Sequence, residues 1–152
     1  MGKTEPLIQT TVSYRQARSM LPLVRSIAID AQELEKQLQQ RRYDLNRVRA
    51  GSPKKAGRLY DDELAESRND LEADERRLAD YKLELNQLGL RLVSSGDGEV
   101  EFPTSFGNRP MVLCWKIGDD DLLFWRQPEQ VFDLRERIPE SALAILSSTS
   151  RF

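Results

Sequence analysis

The chain has no histidine among its 152 residues. That absence excludes a Ser-His-Asp or Cys-His arrangement and zinc sites of the Cys/His type. It also removes the side chain that most often serves as general base near neutral pH. A single cysteine, Cys114, leaves no intrachain disulfide, so no oxidising compartment is required. No segment approaches the roughly 20 consecutive apolar residues of a membrane span, and residues 1–13 contain no apolar run. A soluble, cytoplasmic protein with no membrane partner is predicted. Charge of one sign is also lacking: 23 Lys and Arg stand against 25 Asp and Glu, for a net charge of -2. Attraction to nucleic acid must therefore come from a local patch. With no histidine, no cysteine pair and no phosphate-binding glycine loop, the sequence assigns no catalytic residue, metal ligand or cofactor, and predicts a protein that is not an enzyme.

What fills the chain instead is leucine-rich heptads. One register runs Ala17, Val24, Ala31, Leu38, Leu45 with Met20, Ile27, Leu34, Arg41, Val48. The second runs Leu64, Leu71, Leu78, Leu85 with Tyr60, Ser67, Asp74, Tyr81, Leu88. Each keeps one apolar seam facing a partner helix. Ser13 and Gln16 have capping-box spacing, so a helix begins near Tyr14. Pro22 predicts a kink or break around Ser19–Leu21, with the main helix from Leu23 to about Arg49. Gly51, Ser52, Pro53 and Gly57 make a tip. The second helix starts between Arg58 and Asp61 and ends at Leu88, capped by Gly89.

Charge selects the pairing. Residues 13–49 hold eight basic and four acidic side chains (+4), whereas 60–88 hold four basic and ten acidic (-6). Each helix prefers the other to a copy of itself. Folding about Pro53 sets Leu45 near Leu64, Leu38 near Leu71, Ala31 near Leu78 and Val24 near Leu85. Arg41, Ser67 and Asp74 interrupt the seam, where polar residues fix register and a long arginine can reach water.

Beyond Gly89 the periodicity changes. Leu90–Val93 and Glu99–Phe102 read as strands around a turn at 94–98, and Met111–Ile117 and Leu122–Arg126 as a second pair around Gly118, Asp119 and Asp120. Phe102, Phe106, Trp115, Phe124, Trp125 and Phe132 concentrate aromatic mass here, against a hairpin base at Ala17, Met20, Leu21 and Leu88. The predicted fold is α+β, a long antiparallel coiled-coil helical hairpin with a small antiparallel β-sheet cap. The hairpin occupies 13–89 with its tip at about 50–58. The β cap occupies 90–139 and packs on the hairpin base; a short helix and loose tail follow over 140–152, all in one folding unit.

Ala17-Arg18-Ser19-Met20-Leu21-Pro22-Leu23, Gly98-Glu99-Val100-Glu101-Phe102-Pro103, Arg109-Pro110-Met111-Val112-Leu113-Cys114-Trp115-Lys116-Ile117-Gly118 and Phe124-Trp125 occur in a fixed order. Over about 13–139 this series resembles the uncharacterised bacterial domain-of-unknown-function family twenty-two-oh-three. The resemblance implies no activity. That family tends to carry a histidine after the second tryptophan and then a Gly-Phe-x-Gly-Arg segment. Here Arg126 and Val131-Phe132-Asp133-Leu134-Arg135 stand in those places, so histidine-dependent chemistry does not carry over.

Three constellations remain. Seven basic residues and one acid lie between Arg41 and Arg58. Of these, Arg42, Arg47, Arg49, Lys54, Lys55 and Arg58 are the candidate nucleic-acid contacts, with Tyr43 and Tyr60 as stacking surfaces; the bland counterpart is a solvated turn. Arg109, Trp115, Trp125 and Arg126 could line a pocket for a small anionic ligand, or serve as edge residues of a structural sheet. Asp119, Asp120 and Asp121 read as a turn, and Cys114 as a buried thiol. Because the strongest signals are architectural, the leading expectation is a protein-interaction or scaffold module. Its partner would be another protein or a second copy in a homodimer. RNA or ribosome association through the tip and ligand binding in the β cap are the alternatives.

Overall fold

In the computed structural model, which describes residues 11–50 and 57–148, Tyr14–Ala50 form one uninterrupted 37-residue helix, α1. At 1.5 Å per residue it is roughly 55 Å long. It begins on the capping box: the Ser13 backbone N–H donates to Gln16 Oε1 (2.9 Å) and the Gln16 N–H to Ser13 Oγ (3.0 Å). Of the kink or break expected at 19–21, the break does not occur. Pro22 leaves the Arg18 carbonyl without its helical donor, but Pro22 lies on the exposed side of the helix. Ala17, Leu21, Val24 and Ala28 are buried to either side of it in the sequence. Packing on both flanks outweighs the proline penalty of ~3 kcal/mol.

Helix α2, Arg58–Gln87, starts inside the predicted window. It ends one residue earlier than expected, with Leu88 as C-cap and Gly89 at φ 86°. The Gly89 N–H donates to the Asn86 carbonyl and the Leu90 N–H to that of Leu85 (2.9 Å each). This is a Schellman closure, with Leu85 and Leu90 both buried beneath it. Residues 51–56, which hold Gly51, Ser52 and Pro53 of the predicted tip, lie outside the described residues.

Helices α1 and α2 run antiparallel. Arg42 pairs with Glu75 (3.0 Å), Arg41 with Asp74 (3.4 Å), and the Tyr60 hydroxyl donates to the Val48 carbonyl (3.4 Å). The predicted seam positions Val24, Ala31, Leu38, Leu78 and Leu85 are buried. Of the polar seam residues, Arg41 and Asp74 meet each other. Asp74 sits between Arg41 and Arg77, both at 3.4 Å.

Five strands form one antiparallel sheet in sequential order: β1 Arg91–Ser94, β2 Glu99–Phe106, β3 Arg109–Lys116, β4 Phe124–Arg126 and β5 Glu136–Arg137. Four were expected. Strand β2 runs four residues past its predicted end at Phe102, through Pro103. β1 pairs only as far as Glu101, so the missing proline N–H faces a side with no strand, and there the Val12 N–H donates to the Pro103 carbonyl (2.8 Å). Gly107, at φ 64°, turns the chain into β3, whose start at Arg109 also precedes the predicted one. β4 is shorter than the 122–126 strand expected, and β5 was not predicted. Glu140–Ser148 form α3, the short helix expected within 140–152.

Side-chain alternation gives the sheet two faces. The inner row Phe102, Leu113 and Trp125 is paired strand to strand. With Val100 and Trp115 it joins the buried residues of α1, α2 and α3 in one continuous cluster. Tyr14 and Arg18 clamp the base: the Tyr14 hydroxyl donates to the Leu122 carbonyl (2.7 Å), and Arg18 binds Asp121 through two bonds of 3.1 and 2.9 Å. No helix among the described residues is long and apolar enough to cross a membrane.

Candidate functional site

The outer face of the sheet carries a charged group of which the sequence reading singled out only Arg126. Glu101 is cross-strand partner to both Arg91 and Cys114, and Arg126 lies opposite Val112 in the neighbouring row. Glu101 and Arg126 are buried. The Glu101 carboxylate accepts from Arg126 Nε and Arg91 Nη2, both at 2.7 Å. Arg126 Nη1 donates onward to the carbonyls of Gln127, Pro128 and Gln130 (2.8, 2.9 and 2.5 Å). Both carboxylate oxygens are thus engaged, and the guanidinium ties the sheet to the 127–130 turn. The sequence signal was an acid between apolar neighbours in Val100-Glu101-Phe102 and an arginine closing Phe124-Trp125-Arg126.

Burial opposes ionisation of Glu101, but the hydrogen bonds from Arg126 and Arg91, and then their positive charges, outweigh it and hold its carboxyl below the usual range. A carboxyl whose pKa falls on folding adds stability above its unfolded-state pKa of about 4.3, and loses it as pH falls through the lower folded-state value. In urea titrations from pH 7 to pH 3, wild type should lose more stability than Glu101→Gln, and the gap between them should close at the acid end. Parallel pH profiles for the two proteins would contradict this assignment.

Cys114 is fully buried beside this pair. Burial first, and then the negative charge of Glu101, push its thiol up to about 12. Maleimide at pH 7 should leave the native protein unmodified within an hour and label it completely in denaturant; rapid native labelling would refute this placement. Arg135 stacks over Phe124 and Phe132 (4.1 and 5.1 Å to the ring centres) and pairs with Asp119 (2.8 Å). The three consecutive aspartates separate: Asp119 holds Arg135 and the Lys116 N–H, Asp121 holds Arg18, and Asp120 is exposed.

Of the four predicted pocket residues, Arg109, Trp125 and Arg126 line a concavity of about 240 Å³ at the open end of the sheet. Trp115 is not among them; its indole N–H donates to the Asp119 carbonyl (3.0 Å). Trp125 is largely buried and meets Phe106 edge to face at 5.3 Å. Arg126, as described, is committed to Glu101.

Of the predicted nucleic-acid contacts, Arg42 is paired with Glu75 (3.0 Å) and Arg47 lies 6.0 Å from the Tyr43 ring centre. Arg49 and Arg58 belong to the helix ends, where their side chains are not described, and Lys54 and Lys55 lie outside the described residues. Of the six, only Arg42 and Arg47 have described side chains, and each is engaged by a neighbour along the hairpin.

The distal half of the hairpin carries a groove of about 280 Å³ between α1 and α2. Heptad positions that are closed near the sheet open here. Leu38 and Leu85 are 0% exposed, whereas Leu45, Leu64 and Leu71 are only half-buried and Val48 is 46% exposed. The physical reason is cover: the β1–β2 turn reaches α1 through Gln32 to the Gly96 carbonyl (3.1 Å) and Ser95 to Glu35 (3.2 Å), and among the described residues no sheet or turn residue bonds α1 farther out. Two helices alone cannot enclose a seam from both sides.

A family model described as an uncharacterized conserved protein (DUF2203) matches residues 11–138. No curated protein and no solved structure matches the chain.

Proposed function

The chain belongs to the DUF2203 family, whose description names no chemistry, and on that premise we propose from the hairpin geometry that it is a non-enzymatic protein-interaction module. The observation that carries this reading is the contrast between the two candidate surfaces. On the sheet face Glu101, Arg126 and Arg91 are spent on one another, whereas the distal seam of α1 and α2 leaves apolar heptad residues half open. Exposed apolar surface rimmed by polar residues marks a place where another protein packs. The sheet and the proximal seam anchor the arm, and the distal seam does the binding.

Leu64→Asp tests it. Leu64 is half-buried and far from the sheet, so the variant should keep the wild-type circular dichroism spectrum and lose no more than about 1 kcal/mol of stability. In retention from cell lysate, wild type should hold protein partners that the variant loses, with nuclease treatment changing nothing. Retention abolished by nuclease and indifferent to Leu64→Asp would instead favour RNA association through the basic tip.

A further inference from the structure

We infer that the distal groove receives an amphipathic helix with basic flanks from a partner protein; this rests on the interaction reading above. The floor of the groove is Leu45, Val48, Tyr60, Leu64 and Leu71. These side chains recur at helical spacing along two antiparallel rods, which leaves a trough suited to the anchors of a third helix at i, i+3 or i+4, and i+7. At about 280 Å³ the trough is at the small end for a site enclosing a free metabolite.

The rim decides the partner's charge. Asp44, Glu63 and Asp70 border the groove, and Arg41 is the one cation among the described residues lining it. Arg41 is already shared between Asp70 (3.9 Å) and Asp74 (3.4 Å), so the rim facing an incoming helix is acidic. The surrounding stretch of α2 is acidic, since 60–74 hold seven acidic residues and only Arg68 as a base; the facing stretch of α1, 41–50, holds four bases and one acid, of which Arg41 and Arg42 are already paired with α2 carboxylates. In antiparallel heptads Asp44, Glu63 and Asp70 fall on one flank of the seam, while Arg42 and Glu75 pair on the other. A second copy docking through the same groove would set this acidic rim against its own image, because a two-fold interface is self-facing. A helix with Lys or Arg beside its apolar anchors meets no such repulsion.

The test uses the full chain and two labelled peptides of 18 residues with identical leucines at i, i+3, i+7 and i+10. One carries lysine at the flanking positions and the other glutamate. Fluorescence anisotropy should show the lysine peptide binding at least tenfold more tightly at 50 mM salt, the margin shrinking at 500 mM. Asp44→Lys combined with Glu63→Lys should reverse the preference, and Leu64→Asp should weaken both peptides. Equal affinity for the two peptides, or a preference for the acidic one, overturns the charge assignment while leaving the interaction reading intact. Binding of neither at 100 µM overturns the helix proposal; if Leu64→Asp also leaves lysate retention unchanged, the interaction reading fails separately. Sedimentation showing micromolar self-association that Leu64→Asp abolishes would overturn it in favour of a second copy.

Discussion

Replacing Arg126 by methionine is expected to destabilise the protein by about 3–5 kcal/mol, measured as the free energy of unfolding in urea. The figure reflects what stays behind more than what is lost. Glu101 is buried, and without Arg126 only Arg91 remains to pair with it, from a side chain that is 61% exposed. Three carbonyls of the 127–130 turn lose their shared donor at the same time. Removing both charges together, as Glu101→Leu with Arg126→Leu, should recover at least half of the loss, because no ion is then stranded in the sheet. A single-variant loss below 1 kcal/mol would mean that water reaches Glu101 and that the pair is not sealed.

Gly98→Ala should cost about 2–4 kcal/mol for two separable reasons. Gly98 closes the β1–β2 turn at φ 64°, where an L side chain is strained. Any Cβ there would also be driven into the Ile117 side chain, across the turn from which Ile117 N–H donates to the Gly98 carbonyl (3.1 Å). Asparagine tolerates the left-handed conformation but still brings a Cβ, so Gly98→Asn should be no better than alanine. Gly98→Asn with Ile117→Ala should regain part of the loss. If Gly98→Asn alone matched wild type, backbone strain and not crowding would be the whole cost. Gly107 has the same φ but open space around it, and Gly107→Ala should lose only the conformational share, about 1 kcal/mol.

These two sites show where local reading reaches its limit. Capping at Ser13 and Gln16, the heptad seam, the glycine closure of α2 and the strand-turn alternation after Gly89 are legible along the chain, because each is set by residues within a turn or two of one another. The helix runs through Pro22 without a break, and β2 runs through Pro103 past the expected strand end at Phe102, for a common reason. A proline penalty is local, but whether it breaks the element depends on what packs beside it: buried neighbours along α1 in one case, an edge met by Val12 in the other. β5 has two residues, too few to show periodicity, and exists only because β4 offers it an edge.

The amino-acid sequence by itself determined the α+β class and the antiparallel hairpin, since heptad spacing and charge segregation are properties of the linear chain. Tertiary structure alone decided which charges cancel. Glu101 and Arg126 stand 25 residues apart and meet only through the register of three strands. Asp44, Glu63 and Asp70 become one rim only when two helices are laid antiparallel. The same packing decides which leucines are core and which are surface. A heptad states that a side chain will face a seam, but how far that seam is covered depends on where the sheet stops.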